Sequence, residues 1–141
     1  MTALAITAGP FRFLGMLNEA QCPITCAKVK AALPFDGKII HVRWSGEALW
    51  APLGDLDLGV PYEDPTSYPA PGQFLLFPGG AGKISETEIL LAYGPCRFAS
   101  KAGQLAGNPF ASIASGLDKL AELGPMALRQ GEQTLKIELA D

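Results

Sequence analysis

The sequence predicts a mainly β protein, a small closed β-barrel capped by about two helices. Glycine and proline are frequent, with 16 and 12 among 141 residues, which indicates many turns. Several short segments rich in β-branched and aromatic residues lie between turn residues, whereas few segments have helical spacing. Mostly antiparallel strands with two helices favour a barrel whose ends the helices cover.

The composition favours one globular domain over residues 1–141, because hydrophobic residues make up 48% and charged residues 18%. A formal net charge of -3 argues against nucleic acid and anionic membranes as partners. The N-terminus lacks the pattern of a signal peptide, and no apolar run is long enough to cross a bilayer. Three cysteines are too few for a disulfide scaffold, so we expect a cytoplasmic location.

The first third of the chain predicts two strands and a helix. Residues 2–8 and Phe11–Leu17 alternate in strand fashion around a Gly9-Pro10 turn. A helix is predicted over residues 23–33, since Pro23 suits the first helical turn and Pro34 ends the helix.

Two cysteines lie four residues apart at the start of this helix. Cys22 and Cys26 share one helical stripe with Val29 and Leu33. A metal or redox pair would use this spacing, but unpaired cysteines on an apolar stripe usually pack in the core. The chain has one histidine, so no metal site and no cofactor are expected.

Residues 38–50 predict a β-hairpin with a two-residue Ser45-Gly46 turn. Such a turn pairs His41 with Trp50 and places Arg43 on the same face. The opposite face is expected to pack mainly in the core; it carries Ile40, Val42, Trp44, Glu47 and Leu49. A register shifted by one residue would exchange the two faces.

The face with His41, Arg43 and Trp50 suits an anionic or planar ligand. Arginine binds carboxylates through two hydrogen bonds, and an indole provides a stacking surface. His41 would donate a hydrogen bond or transfer a proton, since its pKa range includes neutral pH. An ordinary surface, with Arg43 stacked on Trp50 and no ligand, is an equally good interpretation.

A proline-rich loop follows over residues 54–72, and we expect it to be ordered beside the hairpin. Its candidate ligand contacts are Tyr62, Glu63, Ser67 and Tyr68. An alternative is that the tyrosines only cover one end of the barrel.

The second half of the chain predicts further strands and a late helix. Strands are predicted at residues 73–78, 86–93, 110–114 and 134–139, with a short one within 96–104. Ser115 and Asp118 fit the start of a helix, and Gly124-Pro125 would end it.

Charged residues in this half add to the candidate site. Glu86 and Glu88 share one strand face, where two carboxyl groups can act as acid and base, although a solvated face is the more ordinary interpretation; Glu86 is the catalytic candidate. Arg97 and Lys101 could contact an anion. The glycine-rich residues 79–83 are not a phosphate-binding loop, because its motif requires glycine at position 77 and serine or threonine at position 84.

Several stretches resemble known families. Pro23-Ile24-Thr25 opening a helix, Leu33-Pro34-Phe35 after it, and a late SGLDKLAEL helix resemble the cyclophilin fold. More closely, HVRWSGEALWAPLGDLDLG, SYPAPGQFLLFPGG, SETEILLAYG and RFASKAGQLAGN resemble a bacterial family of cyclophilin-like domains, domain of unknown function 3830. This resemblance covers nearly the whole chain and implies the barrel but no reaction.

The cyclophilin resemblance makes Arg43 the counterpart of the catalytic arginine in those isomerases. In cyclophilins that arginine directly follows a histidine, whereas here Val42 separates His41 from Arg43. The following WSGEALWAPLGD lacks the Phe, Met and Gln of the cyclophilin pocket. We therefore expect the barrel to be kept and the peptide pocket to be rebuilt.

Three functions follow as alternatives. The first is binding of, or action on, a small anionic or amide-containing metabolite at the face of His41, Arg43 and Trp50. The second is a peptidyl-prolyl cis-trans isomerase that works through Arg43. The third is a non-catalytic interaction subunit, with a homo-oligomer as one form of it. An enzyme and a binding protein are both compatible with the sequence.

Overall fold

A closed barrel of antiparallel strands forms the centre of the protein in a computed structural model that describes residues 2–141. The strands are β1 Ala3–Ala8, β2 Phe11–Leu17, β3 Phe35–His41, β4 Gly46–Pro52, β5 Gln73–Phe77, β6 Glu88–Cys96, β7 Ala99–Ser100, β8 Gly103–Gln104, β9 Asn108–Ser115 and β10 Gln133–Leu139. The helices are α1 Pro23–Ala32 and α2 Leu117–Gln130. Around the barrel the order is β1-β10-β3-β4-β6-β5-β9-β2, and β7 and β8 form a separate small hairpin. The predicted mainly β barrel with two helices is confirmed.

The barrel interior is filled by every second residue of the strands. In β1 the buried residues are Leu4, Ile6 and Ala8, and in β10 they are Leu135 and Ile137. This alternation is the pattern that predicted these strands, and each side chain that points inward loses its contact with water.

Helix α1 packs its cysteines into the core, as predicted. Cys22 and Cys26 are buried, and their thiols lie against the carbonyl oxygens of Pro109 and Phe110 respectively. Burial raises the pKa of Cys22 to about 12 and that of Cys26 to about 11, so both thiols stay protonated. Within residues 2–141, no three side chains of the metal-binding types His, Cys, Asp and Glu cluster closely enough to hold a metal ion.

Helix α2 is longer than predicted: its predicted end is wrong, and its start differs by one residue, with Asp118 in the first turn as predicted. Ser115 belongs to β9, and the residue before the helix is Gly116, with φ of 110° and no side-chain cap. The helix continues through Pro125, which is exposed, and ends only at Gly131. Gly124 lies inside the helix and packs against the Tyr93 ring, where a Cβ atom would overlap that ring.

A second apolar cluster lies on the outer surface of the barrel, beneath the segment that carries β7 and β8. Its buried members are Ala48, Leu75, Phe77, Leu90, Phe98 and Leu105. Phe98 is 1% exposed and meets Phe77 edge to face, with ring centroids 6.1 Å apart. The segment is thus anchored to the outer faces of β4, β5 and β6.

No helix in the described part of the chain is long and apolar enough to cross a membrane.

Candidate functional site

The β3–β4 hairpin differs from the prediction by one residue in register. Ile40 pairs with Trp50 and His41 pairs with Leu49, so the predicted pairing of His41 with Trp50 is wrong. The reason is that Ser45-Gly46 does not form a free two-residue turn. Gly46 already pairs with Cys96 as the first residue of β4.

Ser45 is held by a distant part of the chain. Its side chain is buried, its hydroxyl donates to the Ala99 carbonyl oxygen at 3.1 Å, and the Ala99 N–H donates to Ser45 Oγ at 2.9 Å. These hydrogen bonds fix the end of the hairpin against the segment that carries β7. The connection therefore extends back to Val42, and the register shifts.

The shift reverses the faces of β3 relative to the prediction, whereas those of β4 stay as predicted. Ile40, Val42 and Trp50 face outward toward the second cluster, whereas Leu49 faces the barrel interior. His41, paired with Leu49, shares the inward face and leaves the face of Trp50. The predicted ligand-binding face is therefore divided between two sides of the sheet.

His41 is engaged in the fold away from Trp50. Its Nε2 lies 2.8 Å from the Tyr93 hydroxyl and its Nδ1 lies 2.8 Å from the Val42 carbonyl oxygen. Because a carbonyl oxygen only accepts, Nδ1 carries the proton and Nε2 accepts from Tyr93. This arrangement ties the end of β3 to β6.

An outward-facing cleft of about 840 Å³ lies where β3, β4 and β6 meet the segment of β7. Trp50, Leu90 and Phe98 contribute apolar surface to it, and Trp44 lines it from the hairpin connection. A cleft of this size, with apolar lining and a few polar groups, is typical of small-molecule sites.

Four charged side chains line this cleft: Arg43, Glu86, Glu88 and Lys101. They come from the connection between β3 and β4, the segment before β6, the start of β6 and the turn after β7. The salt bridges formed within residues 2–141 are Lys30 to Glu19 and Lys136 to Glu138. Arg43 and Lys101 are exposed and thus remain available to an anion.

Glu88 is the most unusual of these four residues. Its backbone lies between Pro52 of β4 and Phe77 of β5, and its side chain is only 6% exposed. Burial raises the pKa of Glu88 to about 7, and the negative charge of Glu86 adds to the shift. A perturbed carboxyl group in a cleft is typical of functional sites.

The sequence profile of a family described as "protein of unknown function (DUF3830)" matches residues 4–139. The chain belongs to the DUF3830 family. The resemblance to this family noted in the sequence is thereby confirmed. No curated protein sequence matches the chain.

Solved structures share the fold of this DUF3830 chain. McbB, solved in complex with tryptophan, aligns with a TM-score of 0.70 and 15% identity over 96% of this chain. The alignment covers 44% of McbB, so the chain spans less than half of that protein. A Cryptosporidium parvum cyclophilin-type peptidyl-prolyl cis-trans isomerase, solved with the dipeptide Ala-Pro, aligns with a TM-score of 0.59 and 12% identity over 99% of both chains. A second structure of the same isomerase aligns with a TM-score of 0.59 and 13% identity, over 99% of this chain and 98% of the isomerase. Identities this low establish the cyclophilin-like fold alone.

The cleft of this DUF3830 chain contains four of the residues predicted for the site, namely Arg43, Trp50, Glu86 and Lys101. Their roles in binding or catalysis stay predictions. Glu88, which the sequence placed on one face with Glu86, lies in the same cleft as Arg43. His41 was predicted on the same face as Trp50, and this part of the prediction is wrong because the hairpin register was wrong.

The proline-rich loop does not lie along the cleft. Tyr62 and Tyr68 are 54% and 65% exposed. Glu63 accepts hydrogen bonds from the N–H groups of Ile24 and Thr25, at 3.1 and 2.6 Å, and so caps helix α1. These three candidate contacts are not among the residues that line the cleft.

Two other predicted contacts lie near the cleft but outside its lining. The Ser67 hydroxyl donates to the Leu105 carbonyl oxygen at 2.7 Å, and the Phe98 N–H donates to the Ser67 carbonyl oxygen at 2.7 Å. Ser67 thus anchors one wall of the cleft. Arg97 is exposed, and its backbone N–H donates to the Ser45 carbonyl oxygen at 2.8 Å.

Trp44, Leu90 and Phe98 line the cleft, although the sequence did not predict them as site residues. Trp44 was assigned to the core, but it is 55% exposed. The alternative hairpin register would have placed it beside Trp50. For Phe98, no local pattern indicates that its segment folds back over β6.

Proposed function

We propose that the protein binds a small molecule with an apolar, planar body and an anionic or amide group in this cleft. The observation that carries the proposal is that one apolar cleft is lined by a buried carboxyl group and by two cationic side chains that form no ion pair within residues 2–141. Its volume of about 840 Å³ lies within the range of known ligand sites, roughly 300–1,000 Å³. A cytoplasmic location is part of the proposal, because three free thiols suit a reducing compartment.

Each part of the ligand would meet matching chemistry. Trp50, Leu90 and Phe98 would contact the apolar body, and Trp44 would stack on it from the rim. Arg43 would bind a carboxylate through two parallel hydrogen bonds, with Lys101 as a second positive charge.

The tryptophan named in the McbB complex offers a starting ligand chemistry, an indole with a carboxylate. It supplies probes and not an activity, since the likeness is one of fold. Three suitable probes share the indole ring: indole-3-acetate, indole-3-acetamide and the uncharged 3-methylindole.

The test is thermal unfolding of the wild type and of Arg43→Ala with each probe. A ligand that binds only the native state adds about 2.7 kcal/mol at a concentration one hundred times its Kd. We expect indole-3-acetate to raise the midpoint of the wild type and not that of Arg43→Ala. Arg12→Ala is the matched control, because Arg12 is exposed on β2, which lies opposite β4 in the barrel order.

A uniform absence of shifts would overturn the small-molecule proposal. The third alternative, an interaction subunit, would then gain weight. Trp44 and Ile84, 55% and 65% exposed at the cleft, favour such a contact surface. Size-exclusion chromatography with light scattering of the wild type and Trp44→Ala would measure self-association through this surface.

A peptidyl-prolyl isomerase is the second candidate function. The cyclophilin-type isomerase from Cryptosporidium parvum matches the chain over its whole length, and Arg43 lines the cleft. Turnover of a proline-containing peptide that is abolished in Arg43→Ala would support this function. Equal turnover in the wild type and Arg43→Ala would exclude Arg43 as its catalytic residue.

A further inference from the structure

Glu88 occupies a position in the cleft that packing alone does not explain. It is the first residue of β6, held between β4 and β5, and the residue is only 6% exposed. A carboxyl group buried this far usually has a hydrogen-bond or ion-pair partner, because desolvation of the charge costs several kcal/mol.

No such partner is present among residues 2–141, where no salt bridge or side-chain hydrogen bond involves Glu88. Every side-chain oxygen and nitrogen sealed from solvent does have a partner in the described part of the chain. The Glu88 oxygens are therefore not sealed, and the opening they reach is the cleft that Glu88 lines. The Glu88 carboxyl group can therefore form hydrogen bonds with a molecule that occupies the cleft.

Three charged side chains line the cleft together with Glu88. Glu86 lies on the preceding segment, Arg43 in the connection between β3 and β4, and Lys101 in the turn after β7. The flanking strands β4 and β5 contribute no titratable side chain to the cleft lining. An anion bound by Arg43 and Lys101 would add a negative charge near Glu88, which would favour its neutral form.

We propose that Glu88 is a specificity residue of this cleft whose protonated carboxyl group donates a hydrogen bond to the anionic group of the bound molecule. The inference rests on the proposed function. It makes the preferred ligand a carboxylate or similar anion, since the protonated acid supplies a third donor beside Arg43 and Lys101. An ionised Glu88 would instead repel the same anion.

Binding is then coupled to pH in a definite direction. Because the pKa of Glu88 is about 7, the carboxyl group is about nine-tenths protonated at pH 6 and about one-tenth protonated at pH 8. If only the protonated form binds the anion, affinity falls by about tenfold between these pH values. The carboxylate of indole-3-acetate stays ionised throughout this range, so the change originates in the protein.

The test measures the Kd of indole-3-acetate and of indole-3-acetamide at pH 6 and pH 8 by isothermal titration calorimetry. For the wild type we expect about tenfold weaker binding of the acetate at pH 8, and a smaller change for the uncharged amide. In Glu88→Gln the pH dependence should vanish, because the glutamine amide can donate at either pH.

Two further variants test whether another residue causes the change in affinity between pH 6 and pH 8. Glu86→Gln removes a neighbouring charge and should bind the anion more tightly, yet keep the fall in affinity with pH. His41→Phe removes the only histidine and should keep the fall as well. Loss of the pH dependence in His41→Phe would overturn the assignment to Glu88.

A measurement on the wild type does not depend on how well the variants fold. At pH 7, binding of indole-3-acetate should take up about half a proton, seen as a dependence of the binding enthalpy on the ionisation enthalpy of the buffer. Binding without proton uptake would overturn the role of Glu88 and leave the proposed function intact. A lack of binding by any probe at pH 6 would overturn the proposed function, and this inference with it.

Discussion

Glu63 is half-buried and Glu88 is almost fully buried, and the fold gives their carboxyl groups opposite surroundings. Burial raises the pKa of Glu63, but hydrogen bonds from the hydroxyl and N–H of Thr25 and from the N–H of Ile24 outweigh burial and lower the pKa below its usual value. Glu88 receives no hydrogen bond within residues 2–141, and burial raises its pKa to about 7. The two residues therefore hold different protonation states near neutral pH.

This difference separates a structural carboxylate from one available to a ligand. Cys22, the residue before helix α1, provides no side-chain cap, and Glu63 reaches across from the loop to supply it. Its acceptor capacity is used inside the fold. Glu88 has the same chemistry, but its carboxyl group is open only to the cleft.

The largest effect is expected from Phe98→Ala, which removes an aromatic side chain that lines the same cleft as Glu88. Truncation of a fully buried phenylalanine costs about 3–5 kcal/mol of unfolding free energy. Water admitted to the cleft should also lower the pKa of Glu88 toward its usual value, because less desolvation remains. Urea denaturation measures the first effect, and infrared titration of the carboxyl groups measures the second.

Phe110→Ala is the control for this change, because Phe110 is equally buried but belongs to the barrel interior. It should lose similar stability and leave the titration of Glu88 unaltered. If Glu88 still titrates near pH 7 in a folded Phe98→Ala, its shifted pKa does not arise from the apolar cover.

Glu88→Gln should change how stability depends on pH, by about 3 kcal/mol. The folded pKa of about 7 exceeds the usual value of 4.5, so the folded state binds the proton more tightly than the unfolded state. Relative to Glu88→Gln, the wild type should lose about 3 kcal/mol as pH rises from 4.5 to 7, and little more above 7. Urea denaturation of both proteins at several pH values measures this difference. A constant difference from pH 4 to pH 8 would show that Glu88 titrates normally.

Glu63→Gln should lower the unfolding free energy by about 1 kcal/mol at pH 7, because the helix loses a charged cap. The sign of its pH dependence is opposite to that of Glu88. Since the folded pKa of Glu63 is lowered, its contribution is present above the usual carboxyl range and disappears as pH falls through the folded value. The measurement compares urea denaturation at pH 7 and pH 3. Asp64→Asn is the control, since its exposed carboxylate accepts a hydrogen bond only from Gln21; an equal loss in both variants would contradict a capping role for Glu63.

Elements with local determinants could be predicted from the sequence. The alternation in β1 and β10 and the prolines around α1 specified those elements, because each pattern depends on residues next to one another. For the cleft, side-chain chemistry alone predicted Arg43, Trp50, Glu86 and Lys101 as site residues. The fold brings these four residues together in one cleft.

Features that depend on distant contacts could not be predicted. The hairpin register follows from hydrogen bonds between Ser45 and Ala99, which lie 54 positions apart. Glu63 caps a helix through Thr25, 38 positions earlier, so nothing beside it in sequence distinguishes it from a ligand contact. A shift of one residue in the hairpin was enough to move His41 out of the predicted site.

The smallest effect on ligand binding is expected from His41→Phe, which tests the contrast between cleft and fold at a residue that the sequence predicted for the site. The change removes the hydrogen bonds of His41 with Tyr93 and Val42, each contributing about 1 kcal/mol to stability. Tyr93→Phe, which removes only the hydroxyl, should cost less. The Kd of indole-3-acetate should stay unchanged in both variants, since neither His41 nor Tyr93 lines the cleft. A fivefold loss of affinity in His41→Phe, with Tyr93→Phe unaffected, would return His41 to the binding site and weaken the division between the two faces of the hairpin.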